Sequence, residues 1–343
     1  MTTPNLFKFA TSELSQDAFI CWLLSWAKKD YEIGSDKQKA LNKIAIRILA
    51  LFFTKANKIL PSDIDTIVVR RQVSNIDILC IINDTYCVLI EDKVGSIQHS
   101  NQLVRYKQFM MNGHDITFSE DKVIAIYLQT HDQSNYKTVT KDGFYPVIRR
   151  ELLDIFENEQ VEALKNSDIY TNFYDYLQSI EDAVQSFKYL PVSEWGHKAW
   201  IGFFQYLQSQ LGEGNWGYVA NPSGGFMGFW GLGRRVDDLD IYLQLEQDKV
   251  CFKMCVPQKE NRSKFRKKFY KLFVAEASNF DLKVTKPKRF GSGRHMTFAV
   301  LDTDIINTNS MNLVKLEDVN ILLEDLRKFI NHGVDKYEKQ NNS

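Results

Sequence analysis

The chain has 343 residues, 44% hydrophobic and 25% charged, and its 43 basic side chains are matched by 43 acidic ones. That balance excludes a disordered or membrane-embedded class, and a net charge of zero excludes steering of a polyanion by the molecule as a whole, so a nucleic acid must be held by local patches. Five cysteines with no C-x-x-C pair read as reduced, buried thiols of a cytoplasmic protein rather than a disulfide framework or a zinc knuckle.

The first residues lack the basic start and apolar core of a signal peptide. Residues 16–29 place Phe19, Trp22, Leu23 and Trp26 at spacings of three and four, which predicts a helix. Ser12 or Ser15 can cap it, and Glu13 and Asp17 lie around its first turn. A second helix is predicted over 36–58, with Leu41, Ile44, Ile48, Leu51 and Phe52 on one side and Pro61 beyond its end. Its apolar run is interrupted by Arg47 and is too short to span a bilayer. The period then changes to that of strands over 66–72, 76–82 and 86–94, with Asn83-Asp84 as the turn between the last two. A helix over 100–111, a strand over 123–129, a polar loop, an extended piece over 145–148 and helices over 149–160 and 168–186 follow. Leu190-Pro191-Val192-Ser193 marks the expected boundary between a domain of residues 1–188 and one of residues 189–343. The second opens with a helix over 194–211 and a Gly- and aromatic-rich section over 215–233. Strands are predicted over 238–244, 250–256, 282–287 and 295–301, a basic helix over 262–277 and a final helix over 316–337.

Charged residues at the ends of apolar strands carry the chemistry. Asp77 follows Ile76, and Glu91-Asp92-Lys93 closes the run from Tyr86 to Ile90. Desolvating such charges costs several kcal/mol or more unless they pair, bind a metal or react. A loop of Asn83, Asp84 and Thr85 would pair Ile82 with Tyr86 and set Asp77 opposite Glu91, with Lys93 on their face and Asp92 on the other. Asp77 and Glu91 could then hold one divalent cation. An oxygen-rich set suits Mg²⁺ or Mn²⁺, which activates water and neutralises a scissile phosphate while lysine stabilises developing charge.

This D…E-x-K pattern on consecutive strands, after a helix with Glu13 and before a helix with Gln102 and Tyr106, resembles the PD-(D/E)XK nuclease superfamily. The resemblance covers residues 10–130 and rests on the segment from Glu13 to Leu24, Ile90-Glu91-Asp92-Lys93, and Gln102 with Tyr106; Asn75-Ile76 stands in place of the proline of the motif. It implies an α/β fold with a restriction-endonuclease-like core, a mixed sheet flanked by helices, joined to a C-terminal α+β domain. It also implies that Asp77 and Glu91 are metal ligands, that Glu13 and the backbone carbonyl of Asp92 add to them, that Lys93 aids the water, and that Gln102 and Tyr106 line the site. The implied activity is Mg²⁺-dependent cleavage of DNA in bacterial antiphage defence, with a homodimer or a defence-system protein as a further partner. A catalytically silent nucleic-acid-binding or assembly protein and an RNA-cleaving toxin stay open as alternatives. So do plainer readings: Glu13 as an acid at a helix N-terminus, Asp77 and Lys93 as an ion pair, Gln102 and Tyr106 as an amphipathic face.

Residues 251–300 carry thirteen Lys and Arg against three Asp and Glu. The helix with Lys264, Lys267, Lys268 and Lys271, together with Lys288, Arg289 and Arg294, can grip phosphates or form a solvated face. In the helix, Phe265, Phe269 and Leu272 are expected inward and the basic side chains outward. The stretch 221–235 matches neither phosphate-loop order; it reads as turns and packed strand ends with Phe226, Phe229 and Trp230 in a local core, and alternatively as a base-stacking platform. Six scattered histidines and the lack of G-x-S-x-G argue against zinc hydrolysis and acyl transfer.

Overall fold

In the computed structural model, which describes residues 4–95, 102–112, 117–159, 162–221, 224–247 and 249–341, the side chain of Ser12 accepts the N–H of Ser15 and starts helix α1 (Glu13–Leu24). The helix ends earlier than the apolar spacing suggests, because the Ser25 hydroxyl bonds back to the Cys21 carbonyl at 2.8 Å and the chain tightens into a 3₁₀ turn over Ser25–Ala27. A reciprocal capping box between Ser35 and Gln38 opens α2 (Asp36–Lys55).

The chain divides into two units, Met1–Asp182 and Ala183–Ser343. In the first, β1 (Ile67–Val73), β2 (Ile76–Ile82), β3 (Tyr86–Lys93), β4 (Val123–Gln129) and β5 (Tyr145–Ile148) form one sheet in chain order. The first three are antiparallel, and β3, β4 and β5 run parallel. Helices α3 (Gln102–Asn112), α4 (Lys137–Lys141), α5 (Arg149–Asn158) and α6 (Asp168–Gln185) complete the elements. Alternation along the strands sorts two cores. Ile78, Cys80, Val88, Ile90, Ile126 and Leu128 pack with residues of α1, α2, α5 and α6, whereas Leu79, Ile81, Leu89, Ala125 and Tyr127 pack with Tyr106 of α3 and Val139 of α4. With both faces covered, every residue of β4 is buried. This is the mixed, helix-flanked α/β sheet expected from the sequence.

In the second unit α7 (His197–Leu211) ends at Gly212, whose φ of +66° suits glycine as the left-handed cap. Strands β6 (Asn215–Val219), β7 (Phe226–Val236), β8 (Leu239–Leu245), β9 (Val250–Cys255), β10 (Val284–Thr285) and β11 (His295–Leu301) form an antiparallel sheet in the order β10-β11-β9-β8-β7-β6. Residues of α7, α8 (Arg262–Glu276) and α9 (Leu316–Asn341) share one core with its Ile241, Phe252 and Phe298 face. The Gly-rich section is therefore mostly strand, not turns: Phe229 is in the core, Trp230 is half-buried, and the register shifts between Gly231 and Arg234. Phe269 and Leu272 face the core, but Arg266 also turns inward against expectation, its guanidinium 4.0 Å from the Phe290 ring centre. Among the described residues no helix is long and apolar enough to cross a membrane.

Candidate active site

The β2–β3 hairpin positions the acids. Asn83 and Asp84 both have positive φ, and Ile82 faces Tyr86 while Ile78 faces Ile90. Continuing that register by one residue sets Asp77 across from Glu91. The pleat then puts Asp77, Glu91 and Lys93 on the α3 side with Leu79 and Leu89, and the Asp92 side chain on the α1 side with Ile90. The Asp92 N–H donates to Asp77 Oδ2 at 2.9 Å and closes the hairpin's end.

Lys93 gathers the cluster. Its Nζ lies 2.8 Å from Glu91 Oε1, 3.5 Å from Glu13 Oε2 and 3.9 Å from Asp77 Oδ2, and it donates to the Asp92 carbonyl at 3.1 Å. Glu13 reaches Lys93 from the first turn of α1, near the helix N-terminus. Glu91 is only 1% exposed. Burial, then the Asp77 charge, pushes its carboxyl up to about 7, against the pull of Lys93. Burial also works against the Lys93 ammonium, but the Glu91 contact and the charges of Glu91, Asp77 and Glu13 overcome it and hold the pKa above the ordinary lysine range. Lys93 is thus a fixed cation at neutral pH, suited to stabilising negative charge rather than accepting a proton.

The donors fit a hard divalent cation. Among the described residues Glu91 Oε2 is buried without a hydrogen-bond partner, and the repulsion between Asp77 and Glu91 is what a cation would relieve. Among the described residues no three His, Cys, Asp or Glu groups converge on a ready metal position; the carboxylates gather round Lys93 instead. Asp77, Glu91 and the Asp92 carbonyl would hold the ion.

A buried network behind the cluster fixes Asp92. Gln16 Nε2 donates to Asp92 Oδ1 at 2.5 Å, and the Thr130 hydroxyl donates to Gln16 Oε1 at 2.7 Å. Gln72, at a φ of +55° unusual for a non-glycine strand residue, donates to Asp17 Oδ2 at 3.3 Å and to Asp77 Oδ1 at 3.1 Å. Burial, then Asp77, lifts Asp17 to about 6. Burial, then Asp17, holds Asp92 well above the carboxylate range. On the site face, Gln129 pairs with Lys93 in the β3–β4 register and is buried, its Oε1 without a hydrogen-bond partner among the described residues.

Tyr106 is buried and lines a cleft of about 380 Å³ with Ser74, Asn75, Arg105 and Phe109. The side chain of Gln102 lies outside the described residues. In the second unit Lys264, Lys267 and Lys271 are exposed on α8, and Lys268 sits 4.5 Å from the Tyr337 ring centre. Lys288 and Arg289 line a cleft with Cys251 and Thr297, and Arg294 is exposed before β11.

A family model described as the PD-(D/E)XK nuclease superfamily matches residues 4–198. The chain belongs to that superfamily. No curated protein and no solved structure matches it significantly. Nuclease activity is the family's general function. Gln16, Asp17, Gln72, Thr130 and Gln129 were not singled out for the site from sequence. One signal was available: Glu13, Gln16 and Asp17 share the helical face that continues into Ile20 and Leu23.

Proposed function

We propose that this superfamily member is a Mg²⁺- or Mn²⁺-dependent nuclease acting on DNA in the bacterial cytoplasm, in defence against phage. The observation that carries the reading is the meeting of Glu13, Asp77 and Glu91 at the Lys93 ammonium, from one helix and two strands. A charged cluster this deep is costly as mere scaffolding, whereas each member has work in phosphodiester hydrolysis. When bound, the metal supplies an activated water and charge neutralisation. Asp77 and Glu91 anchor it, Lys93 stabilises negative charge on the phosphate, and Asp92, tied down by Gln16, keeps its carbonyl towards the site. Role and compartment rest on the family resemblance and, for the compartment, on the five free thiols as well.

Plasmid, linear duplex, single-stranded DNA and RNA incubated with the protein in Mg²⁺ or EDTA test the substrate class. Cleavage of DNA in Mg²⁺ alone, lost in Asp77→Asn, is expected. Preferential cleavage of RNA would move the reading to a ribonuclease, and no cleavage of any substrate would favour a silent binding protein.

A further inference from the structure

The second unit presents a sheet face that its own helices leave alone. Side chains alternate strictly along β8 and β9: Ile241, Leu243, Phe252 and Met254 enter the core shared with the helices, so Tyr242, Gln244, Lys253 and Cys255 point the other way. On that side lies a cleft of about 610 Å³ lined by Trp230, Tyr242, Gln244, Lys253 and His295 among others. A second, of about 540 Å³, is lined by Cys251, Thr285, Lys286, Lys288 and Arg289 among others.

Register joins the two clefts. Trp230 faces Gln244, Gln244 faces Cys251, Cys251 faces Val300, and Val300 faces Thr285. This single row crosses four strand spacings, about 19 Å at about 4.8 Å each, from an indole to a basic rim. Beside it Tyr242 faces Lys253, which faces Thr297.

The row is built for flat rings at one end and anions at the other. Trp230 and Tyr242 are half-buried, and among the described residues neither stacks on another ring. The space around them is kept by glycines: a Cβ at Gly217 would meet only the Trp230 indole, at 3.5 Å, and one at Gly233 only the Ile241 carbonyl at 3.9 Å and the Tyr242 Cβ at 4.0 Å. Glu246, an acid of the second cleft, is paired with Lys249 at 2.7 Å, and the acids of the first, Glu213 and Asp240, lie 3.4 Å from Arg327 and 4.0 Å from Arg235. Lys253 makes no ion pair among the described residues.

We propose that this face binds single-stranded nucleic acid, with bases stacked on Trp230 and Tyr242 and phosphates met by Lys253, Lys288 and Arg289. Stacking surfaces beside a cationic track are what a single strand offers partners for, and a paired base in a duplex cannot reach the indole. The length of the row exceeds one nucleotide and favours a strand over a mononucleotide. The face belongs to the second unit and the acid cluster to the first, and binding there does not require cleavage.

The test is fluorescence anisotropy of a labelled oligothymidylate with the full chain in EDTA, which suppresses cleavage. Trp230→Ala and Lys253→Ala should each weaken binding roughly five- to a hundredfold. Gly233→Leu should weaken it too, by filling the cleft from a position with no clash and no positive φ. Unchanged thermal melting of Lys253→Ala and Gly233→Leu excludes misfolding as the cause. Duplex DNA and a nucleoside monophosphate should compete poorly. Wild-type affinity in both Lys253→Ala and Gly233→Leu would overturn the proposal. So would a loss of affinity confined to Lys264→Ala and Lys267→Ala on α8, or competition by the monophosphate equal to that by the oligomer.

Discussion

Glu91 shows how one side chain can be costly to the fold and central to the proposed site. Its pKa rises from 4.5 to about 7 on folding, so the folded protein binds this proton more tightly than the unfolded chain. Its contribution to stability is full below about pH 4.5 and is lost as the pH rises through 7. Glu91→Gln should therefore be more stable than wild type by roughly 1–3 kcal/mol at pH 8 in EDTA, with the gap closing at pH 5, while cleavage is abolished. Urea melts at both pH values check this; a gap independent of pH would show that the carboxyl is not desolvated. By the same sign, calorimetric Mg²⁺ affinity should weaken as the pH falls through 7, because the ligand must lose its proton before it binds metal. The side chains that set these values were only partly legible. Asp77, Glu91 and Lys93 follow from strand parity and a hairpin register, both of which a sequence displays. Gln72 does not, since its reach to two carboxylates depends on a left-handed backbone that nothing in its residue type announces.

At the scale of elements, α1 is the lever of the site. Glu13, Gln16 and Asp17 turn one polar patch of the helix towards the strand ends, and Leu23 and Leu24 anchor its other end in the core at 0% exposure. Gln16→Ala leaves the Asp92 carboxyl and the Thr130 hydroxyl short of a buried partner. It should cost about 1–3 kcal/mol in urea melts and slow cleavage by freeing the Asp92 carbonyl and the α1 end that carries Glu13. Full activity in Gln16→Ala would show that the network is structural only. The five strands of the first sheet were readable because each is an apolar or alternating run between clear turns. Strands β6 and β7 were not, since glycine dilutes the alternation and the register shift after Gly231 breaks its period. Only Val284 and Thr285 of the expected 282–287 strand join the ladder, as Pro287 has no N–H to give it.

For the whole molecule, the decisive quantity is how charge is placed, because the sum is zero. Nucleic-acid binding should then be steeply salt-dependent through local cations alone. Replacing Lys288 and Arg289 together should lower the slope of log K against log salt for a single strand by about 1.4, at about 0.7 per phosphate contact; an unchanged slope would remove them from the interface. The family match, over residues 4–198, concerns mainly the first unit, so the second unit's role has to be argued from its own surface. The central claim is that the acids meeting at Lys93 hydrolyse phosphodiester bonds with a divalent metal. It is tested most directly by single-turnover DNA cleavage with wild type and Lys93→Ala, each in Mg²⁺ and in EDTA. The expected result is cleavage by wild type in Mg²⁺ only, with a loss of roughly a hundred- to a thousandfold in Lys93→Ala; equal rates for the two proteins, or cleavage that persists in EDTA, would contradict it.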